Sequence, residues 1–352
     1  MKRQRTLAFT FCLIVLFSSC SKKNSQREPD PPVTGIDSIL NNVYVSGLEE
    51  TGPYTETVYW KNGVVKFLTN GTQANLSPNS IFVSDSDVYV TGNTGYSNTD
   101  VARYWKNNSD IILSSGTSDV NARSIFVSGG DVYVAGDENN RYAYKVAKYW
   151  KNGVATDLSD SLKNSYAYSV FKSGNDLYVA GNVNKGQITI ASYWKNGIMT
   201  SLTDGTKYAS AYSIFVSGND IYVAGEEASG GPATNFIAKY WKNGVVTQLT
   251  DGSNDAHAYS IFVSGNDVYA AGVEYKGSTD RATYWKNGIT THLTDGSKGG
   301  FARSIFVLGN DNYVAGAEIG ETHLVAKYWK NGVATALTDG SINAWAFSIY
   351  VK

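Results

Sequence analysis

From position 43 onward this chain of 352 residues is a succession of short apolar runs separated by turn residues. One set reads SIFV (260–263), VYAAG (268–272), TYWKNG (283–288) and ITTHLTDG (289–296), and each segment type occurs seven times. The runs are rich in Val, Ile, Tyr, Phe and Thr, and none sustains a helical period, so they predict strands. Successive side chains of a strand point to opposite faces. Tyr240 and Trp241 are adjacent and both apolar, as are the residues within SIFV and VYV. A sheet with one wet face would alternate apolar and polar; these do not, so both faces of each sheet are expected to be covered.

The period is set by Trp60, Trp105, Trp150, Trp194, Trp241, Trp285 and Trp329, spaced by 45, 45, 44, 47, 44 and 44 residues. Asn-Gly follows Trp-Lys in six of the seven units and supplies the positive φ values of a two-residue hairpin. The second unit has Asn107-Asn108-Ser109 there, and a longer hairpin is expected. Four-stranded units of this length with both faces buried predict an all-β fold, a seven-bladed β-propeller with four antiparallel strands per blade. The repeats begin in mid-unit at VYVSG (43–47) and end on SIYVK (348–352), so the C-terminal strand should complete the first blade and close the ring.

Loop lengths order the strands. The stretch from the LTDG glycine position to SIFV is seven residues in six units and eight in the first, whereas the stretch from VYVAG to the Trp strand varies by several. A crossover between blades has a fixed span and a rim hairpin does not. SIFV is therefore expected innermost, then VYVAG, then KYW, with the strand leading into LTDG outermost. Both longer loop classes then share one face and both tight turns the other.

The N-terminus reads MKRQRTLAFTFCLIVLFSSC. A basic start followed by an apolar run too short to span a bilayer predicts a secretory signal over residues 1–19. Small residues before Cys20 resemble a bacterial lipobox, which implies lipidation of Cys20; the alternative is an ordinary signal with Cys20 free. Residues 20–35, with three prolines, read as a polar tether reaching at most about 50 Å. The propeller is assigned to 36–352. Cleavage removes Lys2, Arg3 and Arg5 and no acid, so 30 basic and 31 acidic side chains become 27 and 31, a net charge of −4. That balance gives no reason to expect nucleic acid.

Segments such as YWKNGVVTQLTDGSNDAHAYSIFVSGNDVYAAG resemble the tandem repeats of bacterial exported propeller proteins and are similar to the HAF-type extracellular repeat. The resemblance covers roughly residues 36–352 and implies a propeller and an envelope or extracellular location, with no settled activity. By resemblance to sorting rules, Ser21 after Cys20 implies the outer membrane of a Gram-negative cell, with either face of that membrane open.

The repeated Trp is expected to fill the interface between blades. Quinoprotein propellers also repeat Trp to dock a cofactor, but their longer pattern around it is absent, and no cofactor is expected. The repeats disagree just before SIFV. One residue before its Ser stand Asn79, Arg123, Tyr168, Tyr212, Tyr259, Arg303 and Phe347, and three before it Ser77, Asn121, Tyr166, Ser210, His257, Phe301 and Trp345. With SIFV innermost these residues surround the channel mouth, where aromatics and two arginines suit a sugar or an acidic group; the alternative is that they pack the crossover loop. A second series, Glu49, Glu138, Glu227, Glu274 and Glu318, lies two residues past the glycine of VYVAG. Such an acidic ring could take a cation or basic partner, pair with Arg123 and Arg303, or pair locally.

His257, His292 and His323 fall at non-equivalent repeat positions, so no metal site is expected, and no nucleophile elbow, phosphate loop or CxxC is present. Three functions follow. The first is a monomeric, non-catalytic, lipid-anchored envelope protein binding a glycan or protein on its long-loop face. The second is a glycoside hydrolase or lyase using carboxylates such as Glu138, Glu227 and Glu318. The third is a purely structural assembly protein.

Overall fold

The computed structural model describes residues 41–352 apart from 53, 70–73, 97–98, 161, 231–234 and 278. The signal, Cys20 and the tether, assigned above to residues 1–35, lie outside the described residues. Seven four-stranded antiparallel sheets form a ring. Blades 2 to 7 are residues 74–112, 120–157, 165–201, 209–248, 256–292 and 300–336, each running from an inner strand outward. In blade 3, for example, the strands are Val120–Ser128, Asp131–Asn139, Lys145–Lys151 and Val154–Asp157. Blade 1 takes its inner strand from Ala344–Val351, which pairs with Val43–Thr51 from Val43↔Val351 to Glu49↔Ala344. The strand order and the closure are those the loop lengths and the split unit predict.

Asn and Gly after Trp-Lys have positive φ in all six Asn-Gly turns, for instance 51° at Asn243 and 84° at Gly244. The second unit departs from expectation. Lys106 pairs directly with Ser109, so its hairpin has the same two-residue length, with Asn107 taking φ 55° without a glycine after it. Asn tolerates that region because its short side chain bonds locally. Here Asn107 Oδ1 accepts from Val88 N at 3.0 Å and its amide donates to Asp87 at 3.0 Å. The same clip recurs in the other blades, as in Asn243 to Ile221 N and Asp220, with Lys242 2.8 Å from that carboxylate. It ties the two tight turns of a blade together, and the hydrogen bonds from lysine and asparagine hold Asp87, Asp131, Asp176, Asp220 and Asp267 below the usual carboxylate range.

The seven repeat tryptophans are 0–2% exposed. Trp60 packs in one cluster with Tyr328 of blade 7, while its neighbour Tyr59 joins Trp105 of blade 2. The pattern continues round the ring, each Trp meeting the Tyr of the preceding blade. Replacing one such Trp by Ala would cost about 3–5 kcal/mol.

Around the axis, the aromatic residue of each SIFV contacts its counterparts on both sides. Phe82, Phe126, Phe171, Phe215, Phe262, Phe306 and Tyr350 form a closed cycle with ring centroids 4.7–5.0 Å apart. Beside it, the Ser of one SIFV accepts from the backbone N–H of the next blade's inner strand, as in Val170 N to Ser124 Oγ and Ile349 N to Ser304 Oγ, both 3.2 Å. The inner edge of each sheet, which would otherwise be open, is thereby partly satisfied.

Deleting residues 348–352 should lower the melting temperature by roughly 10 °C or more, because buried Ile349 and Val351 are each worth about 1.5–3 kcal/mol. A thermal melt matching wild type would contradict the closure.

Candidate binding site at the channel mouth

Every inner strand carries a one-residue bulge at the same place. In blade 3, Ala122 pairs with Gly136 and Ser124 with Ala135, leaving Arg123 unpaired. The residues skipped in the other blades are Asn79, Tyr168, Tyr212, Tyr259, Arg303 and Phe347. These are the first of the two series at which the repeats disagree just before SIFV. A bulge bends its strand and re-aims a side chain. The glycine of VYVAG permits it: a Cβ on Gly225 would stand 1.8 Å from the Ser210 carbonyl oxygen, and the other six sites are as tight, at 1.8–2.3 Å.

The re-aimed side chains meet across blade boundaries. Tyr168 and Tyr212 lie 5.4 Å apart edge to face, and Tyr212 and Tyr259 5.5 Å apart. Arg123 covers Tyr168 at 5.0 Å and Arg303 covers Tyr259 at 4.5 Å. An arc of three tyrosines between two guanidinium groups thus spans blades 3 to 7. Tyr166 stacks on Tyr168 at 6.0 Å, His257 on Tyr259 at 5.7 Å, and Phe301 faces Arg303 at 4.9 Å. Trp345 and Phe347 of blade 1 are half-buried in the stretch of ring facing this arc, and Asn79 donates to the Ala122 carbonyl at 2.7 Å. Burial pushes the Tyr168 phenol up to about 12 despite the nearby Arg123, and raises Tyr212 and Tyr259 as well, so at neutral pH the phenols are protonated donors.

The groups beneath the arc are ones the sequence reading passed over. They occupy the position one residue past the VYVAG glycine: Leu48, Asn93, Asp137, Asn182, Glu226, Val273 and Ala317. Blades 2 to 5 are polar there and the side chains are almost wholly buried, 0% exposed at Asp137 and 4% at Glu226. Asp137 accepts from Arg123 Nε at 2.7 Å and from Asn121 at 3.0 Å. Glu226 accepts from the Tyr212 hydroxyl at 2.8 Å and is hydrogen-bonded to His257 Nδ1, whose Nε2 lies 3.6 Å from Asp255. Asn93 and Asn182 hold the next blade's inner strand, through Ala122 N at 2.7 Å and Ala211 N at 2.9 Å. Blades 6, 7 and 1 are apolar at this position. The signal for this asymmetry was the variability of the position itself.

The acidic series lies one residue further on and is turned away from the arc by strand alternation. Glu138, Glu227 and Glu318 each pair with the lysine of their own Trp strand, Lys148, Lys239 and Lys327, and Glu274 lies 3.8 Å from His292. Glu49 is buried opposite Glu56. Burial raises Glu138, but its bonds from Lys148 and Ser118 prevail and its carboxyl sits below the ordinary value. A 680 Å³ cleft on the blade 3 rim exposes part of this pairing, between Glu138, Lys148, Asp119 and Asp157. His292 and His323 bond Thr283 and Thr322; His292 ends the outer strand of blade 6 and His323 lies just before the third strand of blade 7, so neither stands on the inner strands that carry the arc. Among the described residues no three His, Cys, Asp or Glu gather as a metal site.

No protein-family model and no curated protein matches this chain. It is similar in structure to a Mycobacterium tuberculosis puromycin-hydrolyzing peptidase, at 10% identity and a TM-score of 0.56 over 83% of this chain and 53% of that one. It is also similar to a Pyrococcus horikoshii acylaminoacyl peptidase (12%, 0.49, 85% and 53%) and to a putative TolB from Agrobacterium tumefaciens (12%, 0.46, 73% and 89%). The chain spans about half the length of each peptidase. At these identities the likeness is one of fold.

Two measurements test the site's construction. Gly225→Ala should lower the urea midpoint by the equivalent of about 1–3 kcal/mol, since backbone must move to admit a methyl group; an unchanged midpoint would contradict the bulge geometry. For His257, burial disfavours the imidazolium, but the bond to Glu226 and the charges of Glu226 and Asp255 outweigh it and raise its pKa above 6.5. Its contribution to stability is complete below pH 6.5 and is lost as pH rises through the raised folded value. Glu226→Gln should remove that pH-dependent loss, read from melting temperatures between about pH 6 and 9. Parallel profiles for the two proteins would assign the dependence elsewhere.

Proposed function

We propose that this chain is a lipid-anchored, non-catalytic binding protein of a Gram-negative cell envelope that recognises a glycan or an envelope protein at the channel mouth on its long-loop face. The observation that carries this reading is the contrast between scaffold and mouth. Trp, Tyr, Ser, Phe, Gly and the Asn-Gly clip repeat almost unchanged, while the bulged residues differ from blade to blade and are brought together in one arc. Aromatic faces, protonated phenols and guanidinium groups on a rigid ring suit stacking and hydrogen bonding to a sugar or a peptide. The lipobox-like Cys20 and the resemblance to exported repeats support the envelope assignment.

Replacing Tyr166, Tyr212 and Trp345 together by Ala should abolish binding in a glycan or envelope-protein screen, with circular dichroism confirming that the propeller is retained. Full binding by the folded triple variant would remove the mouth from consideration.

A further inference from the structure

Arg123 and Arg303 stand at the same place in the repeat, each on an inner-strand bulge and each over the tyrosine of a neighbouring blade. Their surroundings differ in one respect. Beneath Arg123 lies Asp137, fully buried and bonded to its Nε at 2.7 Å, so that charge is already balanced. The position equivalent to Asp137 in blade 7 is Ala317, and in the flanking blades it is Val273 and Leu48. Among the described residues Arg303 makes no ion pair and no side-chain hydrogen bond, and its Nε is buried without an acceptor. Glu226 of blade 5 and Asp255, just ahead of blade 6, are engaged by His257, and Glu318 of blade 7 by Lys327.

Two aromatic faces hold the group in place, Tyr259 at 4.5 Å and Phe301 at 4.9 Å from the guanidinium carbon. Contacts with ring faces shield the faces of a guanidinium and leave its N–H edge available. That edge is a planar fork matched to a carboxylate. A half-buried guanidinium whose Nε lacks an acceptor is under-satisfied, and an anion bonding its exposed N–H groups offsets part of that cost. On the blade 1 side of Arg303 stand Phe347 and Trp345, aromatic surfaces of the kind on which a sugar ring stacks.

We infer that Arg303 anchors an acidic saccharide, whose carboxylate occupies at the mouth the place that Asp137 fills beside Arg123. The inference rests on the mouth being the binding site and adds the ligand's charge and the residue that reads it. Ala317 then acts as a specificity position. By lacking a carboxylate it leaves Arg303 for the ligand.

The test is calorimetric titration of the folded protein with oligogalacturonate and, in parallel, with a neutral galactose oligomer of the same length. Wild type should bind the acidic chain at least about tenfold more tightly than the neutral one. Arg303→Met should erase that preference. Ala317→Asp should also erase it, by supplying the internal counter-ion of blade 3, with an unchanged or raised melting temperature. Arg303→Met keeps the experiment decisive where Asp at 317 unfolds the blade. Undiminished oligogalacturonate binding in Arg303→Met overturns the inference, as does the absence of any saturable, Arg303-dependent response to oligogalacturonate. An Arg303-dependent response to an acidic peptide alone overturns the saccharide class. Equal binding of both oligomers, insensitive to Arg303→Met but lost in the triple alanine variant, sinks the anionic anchor and leaves the mouth as the binding site.

Discussion

Each sheet in this protein is apolar on both faces, and the contact that covers them is the packing of one blade's Trp against the Tyr of the blade before it. Because Trp and Tyr are neighbours on one strand, a blade that buries its Trp on one side presents its Tyr on the other. Such a unit has no stable end. Every blade needs two partners, and only closure provides them for all seven. The strand Ala344–Val351 accomplishes it by hydrogen bonding the last segment of the chain to the first. The Ser hydroxyls and the cycle of six phenylalanines and Tyr350 then join the inner strands directly, so the ring is held at the Trp layer and again at its axis.

A scaffold so uniform has to leave room for difference somewhere. Here the inner-strand bulge does so. One residue per blade drops out of the ladder, and the adjacent glycine lets the strand settle where a Cβ would collide with a carbonyl. The skipped residue is free of pairing constraints, and in blades 3 to 7 it is Arg, Tyr, Tyr, Tyr and Arg. Beneath them the polar half of the ring anchors Arg123, Tyr212 and His257 through buried acids, while the apolar half leaves Arg303 supported by rings alone. The mouth is therefore two-sided in chemistry although the blades are nearly identical in build.

Much of the architecture was legible in the chain. Tryptophan spacing counts the blades, loop constancy orders the strands, and the split unit predicts the closing strand. The bulge was not read from the chain, because its one recurrent mark, the glycine of VYVAG, sits on the partner strand, and the bulged residue itself shows only as a register shift. The second unit misled for a related reason: Asn107 takes the left-handed turn by side-chain hydrogen bonding, so the missing glycine did not lengthen the hairpin. At the site, recurrence drew attention to the glutamates two residues past the glycine, which bond lysines of their own blades. The informative acids, Asp137 and Glu226, stand one residue earlier and occur once each. Strand alternation alone separates the two sets.

The cycle of aromatic residues at the axis has a bearing on traffic. A regular seven-sided figure with sides of 4.7–5.0 Å has a radius of about 5.5 Å, and the ring edges themselves fill about 3 Å of it, leaving a bore on the order of one water molecule. The axis is thus constricted at this layer. On the proposed reading, a sugar or peptide bound at the mouth would meet this constriction and would enter and leave by the long-loop face.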